Sequence, residues 1–458
     1  MDYNYYRPNT FINNISNLSN KYSNKNKELY QSLDYSSDIK KKRKFFTQDG
    51  NSVNIISNHQ FNGFSDMPSS QIQLLPKNSS TLLKDNDYRT TIKTEIDYNS
   101  PIDNQNINNY DDKKLNLTIT SKVGLKNLGN SCYMNTCLQI LIHSKDFIKR
   151  LLSKKILINK STPISYYFSR LIEEIIYSNT SSIEPSEFKK IVSKQHPEFP
   201  EFRGYSQFDT QEFCRIILED MNNELNEIKD KIAYKELKTD GKTKSESDKE
   251  YDKLFRSRES SIIIDTFYGQ IINIFICNKC KSKSFSFQKV LDLPLLMPEN
   301  NENNDSNQYI SIKELLNDYF KEDEEIKFKC EKCNKKRRHK KEIKISQSPN
   351  ILILSLQRIF FKDNKKKKNK SKVKFGEKLS IKDYIDEDCG HMDEYKYYLY
   401  GIACHAGDIN FGHYFAYIKI NDKDWYEFND SKIKYVGDNI ISETNFSYAY
   451  ALFYKKIK

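Results

Sequence analysis

The chemistry this chain could perform begins with a cysteine beside a glycine-rich turn. The turn reads Gly124-Leu125-Lys126-Asn127-Leu128-Gly129-Asn130-Ser131-Cys132-Tyr133-Met134-Asn135 and runs into an apolar helical pattern whose first residues include Cys132. Unsatisfied backbone N–H groups and the helix dipole favour an anion at such a start, so a thiol placed there ionises more readily and becomes the reactive species. The same N–H groups can hold the oxyanion formed when a thiolate attacks a carbonyl, and Asn127 can add a side-chain donor. Taken alone, Cys132 reads better as a buried structural cysteine. A cysteine nucleophile needs a base, and histidine is the usual one. Of seven histidines, His413 stands in Gly412-His413-Tyr414-Phe415-Ala416-Tyr417 at the start of an apolar strand, where Gly412 lets a substrate backbone approach. One loop later, Trp425-Tyr426-Glu427-Phe428-Asn429-Asp430 offers Asn429 or Asp430 to accept the other ring N–H and fix the tautomer. A lone histidine in a strand is more often a core residue. The early cysteine taken with the late histidine and asparagine turns the reading toward nucleophilic catalysis.

A second constellation is Cys277-Asn278-Lys279-Cys280 with Cys330-Glu331-Lys332-Cys333. Two C-x-x-C knuckles read as a tetrahedral four-cysteine zinc site. Residues 281–329 separate them, more than a compact ribbon needs, so the pairs are expected at the ends of adjoining hairpins. A redox dithiol is the alternative, but neither pair has the strand–helix context of such motifs. Four thiolates leave no open position, so a zinc here is structural.

The elements that must position these groups follow from periodicity. The spacing predicts helices over 131–144, 164–177 and 209–228, then a charged surface loop over 234–252. Strand-like segments follow at 262–264, 269–276, 284–293, 351–356, 397–405, 413–420, 425–428 and 448–454. Helices first and strands later make an α+β fold. Two loops are expected within the strand half, one rich in Asn and Glu over 300–307 and one nearly all basic over 362–374. Residues 1–120 carry no cysteine, are rich in Asn and Ser and show no period, and are read as a disordered tail. Within it, Lys40-Lys41-Lys42-Arg43-Lys44 is either a nuclear localisation signal or a solvated lysine patch.

The bulk numbers narrow the classes. The 458 residues have a net charge of +12, from 74 basic and 62 acidic side chains, a weak signal for acidic partners. Nine cysteines, an odd number, argue against a fully paired disulfide framework. The chain opens Met1-Asp2-Tyr3-Asn4 with no apolar core behind a basic start, so no secretory leader is expected. No run is long enough for a membrane span. The expected compartment is the cytosol, the nucleus or both, where clustered cysteines mean metal or catalysis.

With these motifs in order, the chain resembles the ubiquitin-specific protease family over residues 121–456. Further segments carry the resemblance: Gly204-Tyr205-Ser206-Gln207-Phe208-Asp209-Thr210-Gln211-Glu212-Phe213, Asp265-Thr266-Phe267-Tyr268-Gly269-Gln270 as the strand entering the fingers, Ile351-Leu352-Ile353-Leu354-Ser355-Leu356-Gln357-Arg358 as the strand leaving them, and the closing Ala449-Tyr450-Ala451-Leu452-Phe453-Tyr454. Ser131 and Phe208 depart from the commonest residues at their positions without removing a catalytic atom. The resemblance implies a papain-like cysteine protease domain over 121–458. Its thumb would span about 121–230, its zinc-bearing fingers (Cys277, Cys280, Cys330, Cys333) about 262–350, and its palm most of the remainder. It implies a thiol-dependent hydrolase acting after the C-terminal glycine of ubiquitin on protein conjugates. Cys132 matches the nucleophile, Asn127 the oxyanion donor, His413 the base and Asn429 the third member. An amide oxygen stabilises imidazolium less than a carboxylate, so Asp430 is expected to assist. Asp209 and Glu212 match positions that meet the basic ubiquitin tail, though acids also suit a helix N-terminus; Tyr414 is a further substrate-side residue. Ubiquitin and ubiquitinated proteins are the partners implied, with zinc the one cofactor, no membrane and a monomer assumed. Two other functions remain open: a ubiquitin-binding pseudoenzyme, and a zinc-bearing nucleic-acid-binding protein motivated by the basic 362–374 segment.

Overall fold

The computed structural model describes residues 120–457 apart from 153, 155–157, 231, 234–236, 238, 240, 299–308, 363–364, 390–394, 409–410, 438–439, 441–446. The tail over 1–119, its Lys40–Lys44 run and the 300–307 loop lie outside the described residues. Among them, the first half is helical. A short β1 (Gly124–Leu125) is followed by α1 (Cys132–Ile142), α2 (Lys145–Leu152) and α3 (Pro163–Tyr177). Next come β2 (Ser182–Ile183), which pairs in parallel with β1, α4 (Ser186–Gln195), α5 (Pro200–Arg203) and α6 (Thr210–Glu224). All eleven residues of α1 are buried. A helix with no polar outer face must be enclosed on every side, and α1 is wedged between α6 and the sheet described below.

Two further helices replace expected loop and strand. α7 (Lys244–Arg256) occupies part of the charged 234–252 segment. Thr243 and Glu246 close a reciprocal capping box, and Tyr251 stacks on Phe255 and on Phe287 of the neighbouring strand. Its inward side is partly polar: Ser247 and Asp248 are buried, and Asp248 Oδ1 accepts from Gln270 Nε2 at 2.7 Å. α8 (Ile262–Phe267) overturns the strand expected at 262–264, and the segment resembling a strand into the fingers is helical up to Phe267. Ser261 caps it by accepting from the Ile264 N–H. Tertiary burial here outweighs the β preference of three consecutive isoleucines.

The strands then run β3 (Gly269–Cys277), β4 (Lys283–Val290), β5 (Leu293–Leu296) and β6 (Tyr309–Ser311), then α9 (Ile312–Tyr319), β7 (Asp323–Cys330), β8 (Lys335–Gln347) and β9 (Ile351–Gln357). β10 (Ile359–Lys362), β11 (Lys365–Lys368), β12 (Lys372–Lys374) and β13 (Lys378–Ser380) lead to β14 (Lys396–Ala406), β15 (His413–Ile420), β16 (Asp424–Asn429), β17 (Lys432–Tyr435) and β18 (Ala449–Lys456). A four-stranded sheet of order β4-β3-β8-β7 forms an arm, and an eight-stranded sheet runs β17-β16-β15-β14-β18-β9-β5 with β13 on β14. Along β9, Ile351 and Ile353 face the helices while Leu352, Leu354 and Leu356 face the opposite core with Leu315 and Leu316 of α9. The large sheet is thus covered on both faces, as strands of near-continuous apolar sequence require. The basic 362–374 segment is not a plain loop. β10 and β11 form an antiparallel hairpin and β12 pairs in parallel with β6. Lys368 Nζ donates to the carbonyls of His405 and Gly407 at 2.9 and 2.8 Å, which fastens the hairpin to the turn before His413.

Candidate active site and metal centre

Cys132 is the first residue of α1, with Ser131 as its N-cap. The turn before it folds back through Gly129 (φ 86°) and Asn130 (φ 51°). A Cβ at Gly129 would lie 1.9 Å from the Tyr205 ring, so glycine is required there both by its left-handed backbone and by space. The turn is held by side chains. Ser131 Oγ accepts from the Leu128 N–H at 2.8 Å, and Asn127 Oδ1 accepts from the Ser131 N–H at 3.0 Å. Lys189 Nζ donates to the carbonyls of Leu128 and Gly204 at 3.3 and 3.0 Å.

His413 opens β15, which packs on α1. Ala416 pairs with Phe428, setting Asn429 opposite Phe415 on the sheet face that also carries His413. His413 Nε2 lies 2.8 Å from Asn429 Oδ1, and Asn429 Nδ2 donates to Glu427 Oε1 at 3.2 Å, which fixes the amide's orientation. With Nε2 engaged, Nδ1 is left for the thiol. A hydrogen bond to Cys132 is the largest influence on His413 and, against the opposing effect of burial, lifts its pKa to about 9; Asn429 and the charges of Cys132 and Asp430 push the same way. The arrangement keeps the imidazole protonated beside Cys132. Gly412 is needed first by a second histidine: a Cβ there would lie 1.8 Å from His405 Nε2.

Asp430 is expected from the sequence to assist His413, but its oxygens are spent elsewhere. Its nearer oxygen stands 4.0 Å from His413 Nε2. Asp430 Oδ2 instead accepts from Asn127 Nδ2 at 2.9 Å, Oδ1 accepts from Asn135 Nδ2 at 2.8 Å, and its carbonyl accepts from the Leu125 N–H at 3.0 Å. The carboxylate therefore anchors the Asn127 amide, and one of its two N–H bonds has no partner among the described residues. Asn135, which carried no role in the sequence reading, is the second anchor, also donating to the carbonyls of Leu125 and Lys126. Its place one helical turn after Cys132 was the signal that could have marked it.

The acidic pair sits at the next helix start. Asp209 is the N-cap of α6: Oδ1 accepts from the Gln211 and Glu212 N–H groups, and Oδ2 accepts from the Tyr450 hydroxyl. Glu212 is pushed up to about 7, by burial first and by the Asp209 charge next. Gln207 Nε2 donates to the Gly412 carbonyl at 2.6 Å, joining this segment to the His413 strand. Tyr414 is only 5 % exposed; its ring stacks on His405 at 4.4 Å and meets Tyr450 edge-on at 5.7 Å.

At the tip of the arm, the two knuckles end β3 and β7 and lie together, as the adjoining-hairpin reading expects. The four Sγ atoms of Cys277, Cys280, Cys330 and Cys333 lie within 4.8 Å of one another. Two of the separations are 3.9 and 3.6 Å. Ligands about 2.3 Å from a tetrahedral zinc stand roughly 3.8 Å apart, whereas a disulfide needs about 2.05 Å. Lys281 (φ 57°) and Asn334 (φ 52°) turn the chain after each second cysteine. The donor set fits a metal of zinc type.

A helix-start thiol beside an imidazole that an amide orients is an arrangement suited to nucleophilic thiol chemistry. The family profile "Ubiquitin carboxyl-terminal hydrolase" matches residues 123–454, and the chain belongs to that family. It is 30% identical over 382 residues to ubiquitin carboxyl-terminal hydrolase 4 of Saccharomyces cerevisiae, an alignment covering 75% of this chain and 40% of that protein. It is 27% identical over 373 residues to human ubiquitin carboxyl-terminal hydrolase 21, covering 75% of this chain and 64% of that one. The chain thus spans about two fifths of the yeast relative's length. The solved SAGA Ubp8/Sgf11/Sus1/Sgf73 DUB module bound to ubiquitin aldehyde shares the fold, with a TM-score of 0.56, 22% identity and coverage of 75% and 70% of the two chains.

Proposed function

We propose that this protein is a thiol-dependent deubiquitinase that cleaves after the C-terminal glycine of ubiquitin on protein conjugates. The observation that carries the reading is His413 held between Cys132 and Asn429 Oδ1. Ubiquitin as substrate is supported by the names of the relatives and by the ubiquitin aldehyde held by the SAGA module.

In the first step the Cys132 thiolate attacks the glycine carbonyl. The free Asn127 N–H and the backbone N–H of Cys132 stabilise the oxyanion. Protonated His413 gives its proton to the departing lysine amine as the C–N bond breaks, leaving a thioester. His413 then takes a proton from water, which attacks the thioester and frees the ubiquitin carboxylate and the thiol. Glu212, with Asp209 behind it, offers a negative site for a basic substrate tail. A zinc ion bound by the four cysteines would tie the β3–β4 and β7–β8 hairpins together and take no part in the reaction. The test is reaction with ubiquitin carrying a C-terminal electrophile: wild type forms a covalent adduct and Cys132→Ala does not. Folded, zinc-loaded wild type that forms none would overturn the assignment.

A further inference from the structure

Three stretches of chain meet at the reacting groups: the turn before Cys132, the segment 204–209 that leads into α6, and the start of β15 at His413. α1 packs on β15, but Cys132 and His413 are the first residues of their elements. Element ends fray, and a packed interior does not by itself hold them still. Gly412 adds slack on the side of the base. It precedes β15, has no side chain to pack and carries the widest backbone freedom of any residue. The peptide that joins it to His413 therefore needs an outside contact to set its plane.

The 204–207 segment makes contacts on both sides. Toward the nucleophile, Lys189 of α4 donates to the carbonyls of Leu128 and Gly204 at 3.3 and 3.0 Å, spending its charge on two strong hydrogen bonds. Asn130 Nδ2 donates to the Tyr205 carbonyl, and the Tyr205 ring lies where a Gly129 side chain would stand. Toward the base, Gln207 Nε2 donates to the Gly412 carbonyl at 2.6 Å. Gly204 and Gln207 are three residues apart, so at most about 11 Å of chain separates the two ends. The segment has a firm support. The Phe208 ring stands 4.9 Å from that of Phe202 and 5.7 Å from that of Tyr133, the neighbour of Cys132. Thr210 Oγ1 donates to the Tyr133 carbonyl at 2.8 Å.

We propose that residues 204–207 act as a strut that sets the spacing of the thiol and the imidazole, with Lys189 and Gln207 as positioning residues at its nucleophile and base ends. The proposal rests on the deubiquitinase reading only for the identity of the reacting pair, and its first test needs no ubiquitin. That test is the imidazole NMR titration of His413 in the full chain. Gln207→Ala should let the His413 pKa fall from about 9 toward its ordinary 6.5, as the ring loses its hold on Cys132. Lys189→Met, which keeps the side chain's length and removes its donors, should act in the same direction. Lys189→Arg, which keeps the cation, should restore the wild-type value. The second test is steady-state cleavage of ubiquitin with a fluorogenic leaving group. A misplacement of about 1 Å costs up to ~10²-fold, so kcat of Gln207→Ala should drop roughly 10- to 100-fold with KM within about twofold. Gln207 is half-buried and in no helix or strand, so Gln207→Ala keeps the fold and decides the matter if Lys189→Met does not. An unmoved His413 titration in Gln207→Ala overturns the strut, and so does a loss of activity carried by KM alone. A titration that moves in a protein that cleaves no ubiquitin substrate keeps the strut and sinks the substrate assignment instead.

Discussion

Replacing Asp430 by Asn separates two roles that a carboxylate beside the catalytic histidine could play. The position has φ 50°, which asparagine tolerates, and the bond from the Leu125 N–H to the 430 carbonyl survives. What changes is the pair of bonds at 2.9 and 2.8 Å to Asn127 and Asn135. An amide can accept one of them, and its own NH₂ then confronts the other donor. Losing one hydrogen bond to a charged group costs about 1.5–3 kcal/mol, which at about 1.4 kcal/mol per tenfold is roughly 10- to 150-fold in rate if it all falls on the Asn127 amide. Asn127→Ala should cost ~10²–10³-fold while binding of ubiquitin to a Cys132→Ala background is kept. If Asp430 acts through Asn127, the double variant should match Asn127→Ala within about threefold instead of multiplying the two losses. The assay is kcat/KM on ubiquitin with a fluorogenic leaving group across a pH series. The pH profile of Asp430→Asn should shift less than that of Asn429→Ala, because the Asn429 hydrogen bond raises the His413 pKa more than the Asp430 charge does. Multiplicative losses, or a larger pH shift in Asp430→Asn than in Asn429→Ala, would refute the reasoning.

Other consequences can be read with standard measurements. Because Cys132 is the chief cause of the raised His413 pKa, Cys132→Ala should let it fall from about 9 toward its ordinary 6.5, seen in the imidazole NMR titration; an unmoved value would deny the hydrogen bond between them. In wild type the imidazolium loses its proton as pH rises through about 9, so kcat/KM should decline there. Glu212 gains its charge as pH rises through about 7, so KM for ubiquitin substrates should drop over that interval and Glu212→Gln should flatten the dependence. Cys330→Ser should abolish bound zinc by metal analysis and lower Tm, since metal binding and folding are coupled; full zinc content at an unchanged Tm would exclude the four-cysteine site. Gly129→Ala places a methyl against Tyr205 at a left-handed position and should slow catalysis by disturbing the Asn127 turn.

The motif-bearing residues were legible because their chemistry is local. A thiol at a helix start, a histidine at a strand start and two C-x-x-C pairs each announce themselves within a few residues. The strands at 269–276, 284–293, 351–356, 397–405, 413–420, 425–428 and 448–454 were legible as apolar or alternating runs, whereas β7, β8 and β17 are too rich in charged residues to announce themselves. Helices α2, α4 and α9 were not read from the sequence, and three further segments were assigned a different structure. The 244–256 helix buries Ser247 and Asp248 and so carries no apolar stripe to mark it, the 262–267 helix is spelled in strand-forming isoleucines, and the 365–368 lysines form a hairpin strand that Lys368 ties to carbonyls of a distant turn.

By itself the sequence singled out Cys132 and His413 as candidate nucleophile and base, the four cysteines as candidate metal donors, and the order of helical and sheet halves, because residue type, spacing and motif order carry those. The residues alone left Asn429 or Asp430 for the histidine and the family resemblance named Asn429 with Asp430 assisting; the structure puts Asn429 on the ring and Asp430 on Asn127. Asn429 and Asp430 are neighbours in the chain, but one ends β16 on the face of His413 and the other turns through φ 50° toward Asn127 and Asn135. That division depends on strand register and on a single left-handed residue, and only the packed tertiary structure sets both.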